Sequence, residues 1–392
     1  MAEAPTLPRC RILSVVGTRP EAIKMAPLVR ELRRRAGFVQ QLVLTGQHQG
    51  LAGFFDLPAS RVRELTYDPR GRTAARLRET LHAVLAARLA RERVDLVLVH
   101  GDTASAVAGA LTARDLGIPL GHVEAGLRSF DLNQPWPEEG NRMAIDALSD
   151  LLFAPTEAAA ANLRADWRVK GEIVVTGNTG IDALFQALEG EPGPAAIGEP
   201  KTILATCHRK ENRGEPTRAV CAALRRIVRE LPIEVVIPLH PNRHVREELV
   251  GLLEGEPGIA LVEPLEYDEM VRLMARCWAI LTDSGGLQEE GPALGKPVLV
   301  LRNVTERGEG LEGAGLTLVG TEEERIVAAV RALHQDPELY ARMSRPSLPF
   351  GDGRAAPRIA DSIERWLRLS RRPASAGRAA AHARPALRPG AR

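Results

Sequence analysis

Lysine is scarce in this sequence. Only five of its 52 basic residues are lysines (Lys24, Lys170, Lys201, Lys210 and Lys296), and the rest are arginines. A lysine kept against such a bias marks a place that needs a compact ammonium rather than a planar guanidinium. Aromatic residues make up 4% of the chain, so the core has to be aliphatic. Cysteine is sparse and scattered: Cys10, Cys207, Cys221 and Cys277 form no CxxC pair. That spacing excludes a disulfide scaffold and a zinc ribbon, and it suits a reducing compartment. No uninterrupted apolar run approaches about 18 residues, and the opening MAEAPTLPRC has no apolar signal core. A cytoplasmic protein without membrane contact is expected. Nor is there a strong charge of either sign. The formal charge is +2, and six arginines of the Ala/Arg/Pro tail supply more than that, leaving a mildly acidic body. No nucleic-acid partner is expected from such a balance.

What is present is alternation. Over 392 residues, short apolar runs and longer helical patterns follow one another from residue 11 to about residue 330. Expected strands are Arg11–Val16, Gln41–Thr45, Asp95–His100, Leu120–Val123, Leu152–Ala154 and Ile173–Thr176. A second set follows at Ile203–Thr206, Glu234–Leu239, Ile259–Val262, Ala279–Thr282, Val298–Leu301 and Leu316–Val319. Strands alternating with helices give parallel sheets covered on both faces. The pattern restarts after the Gly/Pro-rich Gly190–Pro200, so the fold class is α/β with two Rossmann-like, doubly wound domains facing a cleft. The expected divisions are 1–177, 178–353, a terminal helix at 354–369 and a low-complexity, disordered tail at 370–392.

In open parallel sheets, ligands bind beyond the carboxyl ends of the strands. Nearly every strand here delivers a Gly, His, Asp, Glu or Arg to that edge: Gly17-Thr18-Arg19, Gly46-Gln47-His48, Gly101-Asp102, Glu124, His208, His240 and Asp283-Ser284-Gly285-Gly286. The strand–turn–helix GTRPEAIK offers open backbone N–H groups with Arg19 and Lys24, an anion site without GxGxxG. Ser284, Gly285 and Gly286 open a second helix and let a phosphate approach its backbone, with Glu290 placed to accept from a ribose. Two such cradles in facing halves suit a nucleoside diphosphate. Asp102, Glu124 and Glu138 form a carboxylate set, and His208 and His240 come from the other half. Carboxylates with histidines across a cleft suit proton transfer beside a charged leaving group better than they suit a metal.

The motifs GTRPEAIKMAPL, TGQH, VLVHGDT, GHVEAGLRS, PWPEEGNR, TGNTGID, HRKEN, DSGGLQEEGPALGKPVLVLR and TERGE stand in the order found in non-hydrolysing UDP-N-acetylglucosamine 2-epimerases. The chain resembles that family over residues 11–368. The resemblance implies a GT-B fold whose last helix returns to the first domain. It implies UDP-sugar binding by Arg19, Lys24, Arg142, His240, Ser284, Gly285, Gly286 and Glu290, and catalysis by Asp102, Glu124, Glu138 and His208. No metal and no cofactor would be needed, and the protein would be a homodimer. Gln47 and His48 would be the candidate contacts of an allosteric activator. The implied reaction eliminates UDP to a 2-acetamidoglucal and adds it back with the C-2 proton on the other face. Which acid serves which face is open. Gln49 and Gly50 depart from the family pattern beside the activator loop, which leaves activation open, and Gly308 and Ala314 depart from it in the TERGE loop, so other UDP-2-acetamido sugars, including uronic-acid and deoxy forms, remain alternatives. So do a hydrolysing epimerase, a GT-B glycosyltransferase and a non-catalytic sensor.

Overall fold

The computed structural model describes residues 9–66, 74–132, 136–189, 200–209, 212–312 and 315–370. Lys210, Ala314, most of the Gly/Pro-rich Gly190–Pro200 and the tail from residue 371 lie outside the described residues. The first half runs β1 (Cys10–Val16), α1 (Arg19–Arg34), β2 (Phe38–Leu44), β3 (Val62–Glu64), α2 (Ala74–Leu89), β4 (Leu96–His100), α3 (Ala104–Asp115), β5 (Leu120–Val123), α4 (Glu138–Leu148), β6 (Leu151–Ala154), α5 (Glu157–Ala165), β7 (Glu172–Val175) and α6 (Thr179–Ala187). The second half continues with β8 (Lys201–Thr206), α7 (Glu215–Glu230), β9 (Ile233–Pro238), α8 (Arg243–Leu253), β10 (Ile259–Val262), α9 (Tyr267–Arg276), β11 (Ala279–Thr282), α10 (Gly285–Ala293), β12 (Val298–Val300), α11 (Gly308–Glu312) and β13 (Leu316–Leu318). Three helices close the described chain: α12 (Glu323–Gln335), α13 (Pro337–Met343) and α14 (Ala355–Ser370).

Strands such as β4, whose five residues LVLVH are all buried, read as unbroken apolar runs because helices cover both sheet faces. The first sheet has the order β3-β2-β1-β4-β5-β6-β7, the second β10-β9-β8-β11-β12-β13. Every neighbouring pair is parallel. Both are doubly wound sheets whose order reverses between the first and fourth strands of the set, and the pair makes the α/β GT-B architecture. All the strands expected from the sequence form. The largest shift is at β2, which starts at Phe38 instead of Gln41. β3 was not expected: it is a three-residue edge strand, VRE, with no apolar alternation to announce it.

Two connections join the halves. After β7 the chain passes Gly177, whose φ of 87° needs a glycine, and it returns past Gly351 at φ 131°. A Cβ on Gly177 would lie 3.1 Å from the Gly351 Cα, and the Asn178 N–H donates to the Phe350 carbonyl at 2.6 Å. Buried Asp182 on α6 accepts from the N–H groups of Ala355 and Ala356 at 3.0 and 2.8 Å, capping α14 from another element. Ile359, Ala360, Ile363 and Leu367 of α14 then bury against the cluster holding Met25, Leu28 and Leu32 of α1, so the last helix packs on the first half.

Candidate active site

The reversal points of both sheets, β1/β4 and β8/β11, carry the residues of interest. At the end of β1, Thr18 and Glu21 form a capping box. The N–H groups of Gly17 and Thr18 donate to Glu21 Oε2 at 2.9 and 2.7 Å, the Thr18 hydroxyl to the same oxygen at 2.9 Å, and Thr103 Oγ1 to Oε1 at 2.6 Å. The Arg19 N–H donates to His48 Nδ1 at 3.2 Å. The open backbone cradle expected in this loop is therefore not there, because a buried carboxylate of the chain itself fills it. Burial pushes the Glu21 carboxyl up to about 7, although these donors pull it down.

Arg19 and Lys24 both reach toward the second half. Arg19 donates to the Leu265 carbonyl at 3.0 Å, pairs with Glu266 at 3.1 Å and lies over the Phe54 ring. Lys24 contacts Glu124 and lies 3.3 Å from Glu289 of α10. Burial works against its charge, and the two carboxylates outweigh burial, so its pKa rises.

Glu124 adopts φ 67°, the left-handed region that a side chain seldom enters, at a cost of roughly 1–2 kcal/mol. Lys24 and Asn178 Nδ2, the latter at 2.7 Å, hold its Oε1 there. Its other oxygen lies 4.0 Å from His100 Nε2. Burial alone would raise the Glu124 pKa; Lys24, His100 and Arg307 together pull it below the carboxylate range. Buried His100 is pushed down to about 4, chiefly by desolvation. Asp102 accepts from Arg142 Nε at 2.7 Å, and Arg142 also pairs with buried Glu139 at 2.8 Å. Glu138 opens α4, and its Oε2 is buried without a hydrogen-bond partner among the described residues. A buried carboxylate oxygen in that state has its hydrogen-bonding capacity open to a ligand or to water.

In the second half, fully buried Asp283 accepts from the N–H groups of His208 and Arg209 at 2.8 Å and from Asn212 Nδ2 at 3.1 Å. It also lies 3.3 Å from His208 Nδ1. The His208 and His240 rings stack with centroids 5.1 Å apart. Burial, then the neighbouring His208, lowers the His240 pKa. Ser284 caps α10 through its backbone only, and the Arg307 guanidinium packs against the first turn. A Cβ on Gly285 would come within 2.7 Å of Arg307 Nη1. Arg307 is held by Glu289 at 2.7 Å and by Glu306. Glu290 is buried rather than solvated; Tyr267 donates to it at 3.0 Å, and burial pushes it up to about 7. His48 lies close enough to His240 of the second half to act on its pKa, and Gln47 accepts from the Ser105 hydroxyl at 2.8 Å.

Asp102, Glu124, Glu138, Arg142, Arg19 and Lys24 thus line the first half's edge, and His208, His240, Ser284, Gly285, Gly286 and Glu290 the second's. Glu289, Arg307, Glu306 and Asn178 were not singled out in the sequence, and Asp283 and Glu21 stood only among the strand-end residues, without a role. Glu289 had a local signal, lying one helical turn beyond Gly285, whereas its pairing with Lys24 spans 265 positions and has none. Among the described residues no group of three or more His, Cys, Asp or Glu is placed to hold a metal ion, and no helix is long and apolar enough to cross a membrane.

Fold and site together define a two-domain α/β protein with a carboxylate set facing an arginine-topped helix end across a cleft. A family model described as UDP-N-acetylglucosamine 2-epimerase matches residues 30–364. The UDP-N-acetylglucosamine 2-epimerase of Bacillus subtilis (strain 168) is 43% identical over 369 residues, covering 91% of this chain and 95% of that protein. The UDP-GlcNAc 2-epimerase from Neisseria meningitidis, solved bound to UDP-GlcNAc, matches with a TM-score of 0.84 and 37% identity over 91% of this chain and 100% of that one. A co-structure of MnaA from S. aureus with UDP gives a TM-score of 0.84 and 39% identity over 92% and 97%. The chain belongs to the UDP-N-acetylglucosamine 2-epimerase family.

Proposed function

We propose that this protein interconverts UDP-N-acetylglucosamine and UDP-N-acetylmannosamine. One observation carries the reading: partly buried acids with unequal surroundings face a cationic helix end across the cleft. The UDP diphosphate would sit at the α10 N-terminus, against the N–H groups of Gly285 and Gly286 and the Arg307 guanidinium, with Lys24 and Arg19 adding charge from the other half. Glu290 would accept from the ribose hydroxyls, and His240 would contact the nucleotide beside His208.

The C-2 proton of an acetamido sugar is barely acidic. A carboxylate removes it while the C-1–O bond breaks; the C–H electron pair becomes the C-1=C-2 bond, and UDP leaves with the C–O pair. Stabilising that leaving charge is the work of Arg307, the helix end and His208. Glu138, with an unpartnered oxygen, is the acid best placed to take a proton, while Asp102 and Glu124 are tied to Arg142 and Lys24. UDP then adds back to the glucal as a proton arrives on the opposite face. We further propose divisions at 1–177, 178–353 and 354–369, a homodimer, and a cytoplasmic protein, the last consistent with four scattered cysteines that form no CxxC pair.

The test is incubation with UDP-N-acetylglucosamine in deuterated water, without added metal or nicotinamide, followed by proton NMR. UDP-N-acetylmannosamine with deuterium at C-2 is expected. Free N-acetylmannosamine with equimolar UDP would assign a hydrolysing enzyme instead. With neither product nor exchange, this substrate is wrong, and UDP-linked uronic-acid and deoxy acetamido sugars come next. Light scattering checks the dimer.

A further inference from the structure

The fourth histidine of the first half, His122, has no part in the site described above, yet it touches the elements that carry it. His122 lies in β5, two residues before Glu124, and its side chain is completely buried. Its Nδ1 is 2.7 Å from Asp146 Oδ1, and its Nε2 is 2.8 Å from the Gly101 carbonyl oxygen. A carbonyl oxygen only accepts, so Nε2 carries a hydrogen. Nδ1 faces Asp146, whose other oxygen is ion-paired with Arg128 at 2.7 Å. Both ring nitrogens are therefore tied, one to a backbone carbonyl and one to a buried carboxyl group.

The two acceptors belong to different parts of the site. Gly101 precedes Asp102, and its φ of 62° sets the turn that aims Asp102. Asp146 lies on α4, about two turns beyond Glu138 and one beyond Arg142. Arg128 follows Glu124 in the next loop. The ring is thus the common neighbour of the segments that hold all three proposed catalytic carboxylates. An apolar ring of similar size would fill the space, but it would leave Asp146 and the Gly101 carbonyl without the ring's hydrogen bonds.

We propose that His122 is a positioning residue for the epimerisation: it fixes the Asp102 turn and the Glu138 helix in one register by bonding to both through its two ring nitrogens. This rests on the epimerase reading above. Displacing a reacting carboxylate by about 1 Å costs on the order of 10²-fold in rate, so the expected signature is kinetic.

The test compares His122→Asn, whose amide nitrogen stands near the Nδ1 position, with His122→Gln, whose amide nitrogen reaches the Nε2 position. Each keeps one tie and drops the other. Both should lower kcat per UDP-binding site by about 10- to 100-fold. Both should leave the Kd for UDP within about twofold, because the groups around UDP lie mainly in the second half. A displaced acid should also move a limb of the kcat–pH profile. A purely structural histidine would instead yield less folded protein with wild-type kcat per binding site and an unchanged profile, and that result overturns the proposal. Selective ¹⁵N-histidine NMR of the wild-type protein decides the matter even if neither variant folds. The tie to the Gly101 carbonyl requires a hydrogen on Nε2, and an Nε2 without one sinks the proposal. Failure of the wild type to epimerise would be seen first and would count against the epimerase reading, not against the ring's hydrogen bonds.

Discussion

A guanidinium packed against the first turn of a helix meets the positive end of its dipole, and Arg307 does so at Gly285. Glu289 and Glu306 hold it there, and an anion between helix end and arginine would satisfy both. Arg307→Ala should therefore weaken UDP by about 10- to 100-fold, the scale of a charge-assisted contact; calorimetric titration measures it, and an unchanged Kd would remove Arg307 from the nucleotide site. Glu138 makes the opposite prediction. Glu138→Gln keeps the shape and loses the base, so kcat should fall about 10²- to 10⁴-fold with UDP affinity held. Glu290 links the site to pH. Its folded pKa of about 7 lies above its ordinary 4.5, so the folded state holds the proton through that window and stability is lost as pH rises through it. Glutamine mimics the protonated form. Glu290→Gln should gain up to about 3 kcal/mol on the wild type between about pH 5 and about pH 8, read from urea midpoints. Flat behaviour would mean the carboxyl is not held neutral. At this scale the sequence showed Glu290 and missed its neighbour Glu289, because the partners that bury Glu289, Lys24 and Arg307, are not local to it.

Elements were more legible than the contacts between them. Apolar runs bounded by glycine and polar clusters placed every long strand, since a parallel strand buried on both faces has no other composition available. The Thr18-x-x-Glu21 box was in plain view as well, yet the loop was read for its glycine and arginine. The competing cap took the N–H groups, because a carboxylate three residues away reaches them at no cost in chain closure. β3 escaped because a strand at a sheet edge needs only one hydrogen-bonded side and no apolar pattern. The last helix offers a test of how elements are tied. Ile363 is fully buried between α14 and α1. Ile363→Ala should cost about 2–5 kcal/mol by lost burial and cavity formation, measured as a lower urea midpoint. A cost below about 1 kcal/mol would mean α14 is not anchored on the first half.

Across the whole molecule, the alternation of strands and helices dictated two like sheets, and right-handed crossovers left little freedom in how each was wound. How the two sheets meet was beyond sequence reasoning, because it rests on single pairs such as Arg19 with Glu266 and Lys24 with Glu289. The two connections between the halves run side by side at Gly177 and Gly351, their backbones within van der Waals distance of one another. In mechanical terms, two adjacent struts make a door hinge rather than a ball joint. They leave one rotation open and resist twist and sliding. An opening of the cleft about such a hinge would retrace a single arc, and it would return the acids of one half to the same station opposite the arginine of the other.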